Sequence, residues 1–231
     1  MEQLLSHWND ESIIQGIPFS DLLTETQKQE ILETSRIIDY IKRDIILKQS
    51  TAISSIPILL KGLVKTSKEM RKGKNIILRI AQPGTFLGIS SVFGSDTYSY
   101  SVFALEPVTV LFVNAGVLES IIKENGEFGF QIVKRISSNN LFNINKLSSL
   151  LYKQLPGRVA DIILYFSEQI FKNQTFTIPL TRMELAQLAG TTKESLIRTL
   201  SEFNNDKIIE MNRNSITISS LEIIKTLSRL G

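Results

Sequence analysis

Residues 181–200 read TRMELAQLAGTTKESLIRTL, and one local phrase occurs in them twice: a threonine followed three residues later by a glutamate, at Thr181 with Glu184 and at Thr191 with Glu194. An apolar run of helical period follows each. That phrase is a capping box, in which hydroxyl and carboxylate satisfy the free N–H groups that open a helix. Two such starts ten residues apart leave room for one short helix, a tight turn and a second helix. A helix-turn-helix asks for a small residue where its helices approach most closely. It also asks for glycine at positive φ in the turn and an aliphatic side chain inside the second helix. Ala186, Gly190 and Leu196 stand at those places in that order, with Leu185, Leu188 and Leu200 completing the core. Such a turn holds its second helix so that it can enter a DNA major groove.

The downstream residues extend the motif. Lys207 to Met211 and Ser215 to Ile218 read as two short strands around Asn212, Arg213 and Asn214, a β-hairpin with turn-forming residues in its loop. Helix, turn, helix and hairpin make a winged helix, with Arg213 placed to reach phosphate. On the second helix, Arg198 can pair with O6 and N7 of a guanine and Glu194 can accept from a cytosine amino group. Lys193 can touch phosphate or guanine but lacks the planar fork. Glu194 has a second role as the capping carboxylate. Thr181, Arg182, Thr192 and Ser195 are candidates for the DNA backbone or idle surface.

Upstream, the texture changes along the chain. Residues 20 to 40 read as short helices, with a weak capping box at Thr24 and Gln27 and apolar Leu23, Ile31, Ile37 and Ile38. From 41 to 114, short β-rich runs such as PILLKGLVKTS, NIILRIA and VTVLFV are separated by Gly, Pro, Asn and Asp, which suggests a sandwich, barrel or roll. Gly62, Gly73, Gly84 and Gly88 fall at strand ends or corners, where positive φ is needed. From about 115 to 153 the pattern is helical. Phe128, Ile132, Ile136, Ile144, Leu147 and Leu151 form a stripe with Asn140 in the vacant step. A helix of roughly 25 residues spans about 37 Å, more than a small domain needs, so part of the stripe is expected to meet another molecule, the alternative being a long helix buried against its own domain. Asn140 either fixes the register there as a buried polar pair or faces solvent or the sensor domain. Gln154, Leu155, Pro156 and Gly157 break that helix, and a new one runs from Arg158 to Phe171 with Val159, Ile162, Ile163, Phe166 and Ile170 inward.

Composition bounds the chemistry. No cysteine among 231 residues removes disulfides, iron–sulfur clusters and thiolate-bound zinc. The single histidine, His7, stands beside Trp8 ahead of the strands, reads as surface or packing, and leaves no metal-ligand cluster. No nucleophile elbow, P-loop or HExxH occurs. The expectation is a protein that is not an enzyme and needs no cofactor. No membrane span or secretion signal is apparent, which points to the cytoplasm. The net charge of +3 argues little by itself. Residues 154 to 231 hold nine lysines and arginines against eight carboxylates, so any DNA footprint depends on local placement.

LTRMELAQLAGTTKESLIRTL resembles the DNA-binding motif of the Crp–Fnr transcription regulators, and the likeness runs from about residue 20 to the end. It includes PGTFLG at 83–88 and LPGRVADIILY at 155–165. The resemblance implies an α+β chain of three parts: an antiparallel, jelly-roll-like β-roll sensor with N-terminal helices (1–124), a long dimerisation helix (125–153) and a winged helix-turn-helix (154–231). It implies a homodimer on two-fold symmetric promoter DNA that recruits or blocks RNA polymerase. The family's base-reading pattern, Arg-Glu-x-x-x-Arg, stands here as Lys193, Glu194 and Arg198, with the first arginine replaced. The alternative is a small-molecule-binding or interaction protein whose winged helix docks another protein.

The resemblance also bears on an effector. Cyclic-nucleotide-binding members carry a glutamate directly after the glycine of the phosphate cassette and an arginine later. Here Ile89 follows Gly88, and the arginine's place falls near Tyr98 and Ser99. No lysine or arginine lies between Arg79 and Lys123. Phe86, Phe93, Tyr98, Tyr100 and Phe103 suggest an apolar interior, either a packed core or a pocket for an apolar ligand lined by Phe86, Gly88, Ile89, Ser90, Tyr98, Ser99 and Tyr100. Cyclic AMP is expected neither to bind nor to be needed.

Overall fold

The computed structural model describes residues 8–71 and 74–231, so Gly73 and His7 lie outside the described residues. The chain forms two compact units, Met1–Lys74 with Leu78–Asn140, and Asn75–Ile77 with Leu141–Gly231.

The first unit opens with α1 (Asp10–Gly16) and α2 (Glu25–Thr34). Thr24 and Gln27 cap α2 reciprocally, as their spacing predicts. Residues 36–40 are not helical but form strand β1 (Arg36–Tyr40), which pairs antiparallel with β8 (Val108–Asn114). The β-branched pair Ile37 and Ile38 favours a pleated surface over a further helical turn.

The roll then continues through β2 (Ile45–Leu47), β3 (Ser55–Lys61), β4 (Val64–Arg71), β5 (Lys74–Ala81), β6 (Thr85–Phe86), a single turn α3 (Ile89–Val92) and β7 (Ser101–Ala104). Its strands make two sheets, ordered β1-β8-β3-β6 and β2-β7-β4-β5. Alternation on β3 shows how two cores arise. Ile56, Ile58 and Leu60 join a core shared with the helices, while Leu59 joins the core between the sheets. Gly62, Gly84 and Gly88 all have positive φ. At Gly62 a Cβ would come within 2.6 Å of the Pro107 carbonyl, so only glycine turns this corner.

The roll closes with α4 (Ala115–Glu124), and α5 (Gly126–Tyr152) follows. The first half of α5 corrects the expected interface stripe. Phe128 is fully buried, Ile132 nearly so, and Ile136 packs half-buried on the same core of the first unit. Phe128 and Ile132 are covered by their own chain, and Ile136 is partly so. Asn125 anchors this start: its amide donates to the Leu22 carbonyl at 2.8 Å and its Oδ1 accepts from Phe128 N–H at 3.1 Å.

The second unit holds the C-terminal half of α5, then α6 (Leu155–Leu164), with Pro156 in its first turn where no N–H partner is required. A π-helical stretch (Tyr165–Ile170) continues it, and Val159, Ile162, Ile163, Phe166 and Ile170 are buried. Phe166, Phe171 and Phe176 stack beneath it, with centroids 5.8–6.2 Å apart. There follow β9 (Thr175–Thr177), α7 (Arg182–Ala189), α8 (Lys193–Asn205), β10 (Ile209–Asn212), β11 (Ser215–Ile218) and α9 (Leu221–Leu230). The sheet order is β10-β11-β9.

Candidate nucleic-acid interface

The helix-turn-helix is built from its caps. Thr181 Oγ1 accepts from the Glu184 N–H at 3.3 Å, and the Glu184 carboxylate accepts from the Thr181 N–H at 2.7 Å. Gly190 ends α7 at φ 61°, and the Thr191 N–H returns to the Ala186 carbonyl at 3.0 Å. Ala186, Leu185, Leu188, Leu196 and Leu200 are buried.

The second cap differs by one residue from the repeated phrase. α8 is capped by Thr192, whose Oγ1 accepts from the Ser195 N–H at 3.2 Å and lies 3.1 Å from the Ser195 hydroxyl. Thr191 packs one position too early to reach the N3 amide. Glu194 is thereby released from capping, and Thr192 and Ser195 are engaged with each other.

Outward from this frame, Lys193, Glu194, Ile197 and Arg198 are exposed, while Leu196, Thr199 and Leu200 face inward. Spacings of one, three and four residues place the four on one side of α8. Ile197 was not singled out from the sequence, although its place between Glu194 and Arg198 on the same helical face was legible. An apolar side chain there suits a thymine methyl.

Arg213 occupies the tip of the β10–β11 hairpin, exposed and in the left-handed region at φ 54°. Arg182 reaches the same wing. Its guanidinium donates to the Arg213 carbonyl, and burial pulls its pKa below the usual arginine range. It ties the start of α7 to the wing tip.

The roll interior is a second candidate site, and there the side chains have found one another. The Gly88 N–H donates to the Tyr100 hydroxyl at 3.0 Å, and the Tyr98 hydroxyl donates to the Ser55 carbonyl at 2.6 Å. A Cβ on Gly88 would meet the Tyr98 ring at 2.9 Å. Phe86 and Ile89 belong to the core under the helices and Tyr98 to the core between the sheets, while Ser90 and Ser99 are exposed. The expected apolar pocket is thus divided between two packed cores and the surface. Burial raises the Tyr100 pKa, opposed by the Gly88 N–H and by Arg79. Arg79, on β5, bounds the cation-free stretch in sequence and acts on this interior. It donates to Asn139 Oδ1 at 2.7 Å.

Comparison with known proteins agrees with both halves. A cyclic nucleotide-binding domain model matches residues 37–125, and a Crp-like helix-turn-helix domain model matches residues 157–227. The chain is 25% identical over 176 residues to the CRP-like cAMP-activated global transcriptional regulator of Mycobacterium tuberculosis, covering 74% of this chain and 79% of that one. It is also 25% identical over 167 residues to the global nitrogen regulator of Nostoc, covering 69% and 74%. Among solved structures, FixK2 from Bradyrhizobium japonicum superposes with a TM-score of 0.77 at 17% identity, over 84% of this chain and 96% of that one.

The chain belongs to the Crp–Fnr family. Its relatives are transcription regulators, not enzymes, and among the described residues no helix is long and apolar enough to cross a membrane.

One further feature of this Crp–Fnr chain lies on α5. Phe130, Val133, Ser137, Asn140, Ile144, Leu147 and Leu151 are all exposed and follow one another at alternating steps of three and four. That is the 3-4 spacing a coiled-coil seam requires, over about 32 Å of helix by the helical rise. Ile144, Leu147, Leu151 and Asn140 were expected on the outer stripe. Phe130, Val133 and Ser137 replace Phe128, Ile132 and Ile136 in its first half.

Proposed function

We propose that this chain is a homodimeric, sequence-specific DNA-binding transcription regulator of the cytoplasm that works without cyclic AMP. The observation that carries it is the outward row Lys193, Glu194, Ile197 and Arg198, on a capped helix whose inner side is locked in a helix-turn-helix core. A fork, a carboxylate, a cation and an apolar contact on one face supply what base-edge recognition requires, and Arg213 on the wing adds a phosphate contact. In this reading residues 1–124 are the sensor, 125–153 the pairing helix and 154–231 the reader. The exposed heptad seam supports pairing, since an apolar stripe of that length is costly to leave in water. Two copies then present two reader helices to half-sites about 34 Å apart.

Independence from cyclic AMP is supported by the self-satisfied interior: the Gly88 N–H is taken by Tyr100, and the residue after it is the buried Ile89. In this the chain would differ from its cAMP-activated relative. The test is selection of duplexes from a random pool by the full-length protein, followed by anisotropy at rising salt. A palindromic site whose affinity falls steeply with salt is expected. Recovery of no enriched sequence, or affinity indifferent to salt, would sink the reading.

A further inference from the structure

The C-terminal unit contains a cleft of about 310 Å³ that the reader helix does not use. Its walls come from the last turns of α5, from α6 and the π-helical stretch, and from the end of α7. That volume is at the lower end of the roughly 300–1,000 Å³ typical of small-molecule sites. Part of the lining is apolar: the rings of Phe142 and Tyr165 lie 5.7 Å apart, and Leu150, Ile162 and Leu188 also line the cleft.

The lining also carries charged groups, and they are unevenly satisfied. Asp161 is saturated. It accepts from Lys153 at 2.8 and 2.9 Å, from the Ser149 hydroxyl at 2.5 Å and from the Ser228 hydroxyl at 2.6 Å. Glu168 stands at the edge, half exposed, 3.9 Å from Lys225. Arg158 is different: Nη1 reaches the Leu150 carbonyl at 3.3 Å, but Nε is buried with no hydrogen-bond partner among the described residues. Lys146, on α5, also lines the cleft; it donates to the Ile77 carbonyl at 2.8 Å, and burial lowers its pKa from 10.5 to about 8. A buried donor with nothing to bond costs free energy that an incoming acceptor returns. A desolvated ammonium likewise gains from an anion beside it.

We infer that this cleft binds a small monocarboxylate with an apolar body, its carboxylate at Arg158 and Lys146 and its body against Phe142, Leu150 and Ile162, and that occupancy alters DNA affinity. The coupling follows from what else the cleft touches. Leu150 packs on the turn glycine of the helix-turn-helix, so closely that a Cβ on Gly190 would meet its Cδ2 at 2.5 Å. Leu188 and Ala189, the last residues before that turn, line the cleft directly. A ligand that moves Leu150 or the end of α7 moves the hinge on which α8 is set. The lining residues lie outside the matched cyclic nucleotide-binding domain, although Lys146 is held by the Ile77 carbonyl within it. Only its effect on DNA rests on the DNA-binding reading.

The test uses the full chain with methyl-labelled isoleucine and leucine, titrated with decanoate, 4-phenylbutyrate and indole-3-acetate, each beside its neutral amide. Saturable shifts confined to Leu150, Ile162 and Leu188 methyls are expected for at least one acid, with the amide weaker by roughly tenfold, the worth of one charge-assisted hydrogen bond. Lys146→Met should remove that difference, and Arg158→Lys, which keeps the charge but not the fork, should reduce it. Methyls unmoved by all three acids at millimolar concentration, or amides binding as well as acids, would overturn the site. A parallel anisotropy titration on DNA should show the bound acid changing affinity several-fold. Binding with DNA affinity unchanged would overturn the coupling. A protein that binds no DNA at all would leave the methyl titration to decide the site alone.

Discussion

At Arg198 a guanidinium on an exposed helical face can offer two parallel donors to O6 and N7 of a single guanine, a geometry no lysine reproduces. Arg198→Ala should therefore cost about 1–3 kcal/mol at one G·C pair of each half-site and relax discrimination there, whereas Lys193→Ala should weaken all sequences alike. Competition anisotropy against single-base variants separates the two, and equal losses on every sequence for both would displace Arg198 from the base edge. Ile197→Ala should lose preference at a neighbouring thymine only. These side chains were legible because their face follows from helix spacing once the turn is recognised. The cap was legible to within one residue: Thr191 and Thr192 both offer a hydroxyl, and only the backbone path out of Gly190 selects Thr192. For Arg182 the sequence could not show that one arm of the guanidinium is held by the carbonyl of Arg213, thirty-one residues away. Lys146 gives a pH signature. Its folded pKa of about 8 lies below the ordinary 10.5, so between those values the unfolded chain binds more protons and stability rises with pH through this group. Urea unfolding of Lys146→Met should lack that rise, its stability relative to wild type falling as pH climbs from about 8 to about 10.5.

The element that most rewards inspection is α5, because it is apolar on two sides in its first half. Phe128, Ile132 and Ile136 follow one helical row, and Phe130 and Val133 follow another; periodicity shows that a face is apolar but not whose atoms cover it. The contacts of the chain with itself decide that, and they assign the first row to the roll core. The outer row should bring two copies together. A carboxylate placed in such a seam must be buried without a partner, which costs several kcal/mol. Ile144→Glu with Leu147→Glu should yield a folded monomer, since both side chains are exposed within one chain. Sedimentation should show one chain per particle, with an unchanged circular dichroism spectrum and DNA affinity reduced to that of a half-site. A variant that remains dimeric would move the interface elsewhere. Asn140→Leu tests the polar step: association should tighten while the oligomer loses its single defined state.

Across the whole molecule, charge and the packed roll interior set the terms of regulation. The net charge is only +3, so attraction to DNA must come from local placement of charge. If each copy neutralises about three phosphates, the dimer's salt slope should be near −5, and a monomeric variant's about half that. The response to a cyclic nucleotide depends on the interior in which Tyr98 and Tyr100 sit. The tyrosine positions were legible, but not that their hydroxyls would close on Ser55 and Gly88, because those partners are 43 and 12 residues away. A cyclic phosphate seated at Gly88 would have to displace the Tyr100 hydroxyl and push back the Tyr98 ring. It would also have to draw Arg79 away from Asn139, all while losing its own water. An anion desolvated without a poised cation is unfavourable by several kcal/mol, more than the exposed ribose and base contacts left at Ser90 and Ser99 can return. Calorimetric titration with cyclic AMP should therefore give no saturable heat, and DNA affinity should be the same with and without the nucleotide. Tyr100→Phe frees the Gly88 N–H but leaves Ile89 and the Tyr98 ring in place, so it too should not bind. Tight binding by the wild type would show that the tyrosines are a movable plug and that the roll is a cyclic-nucleotide sensor after all.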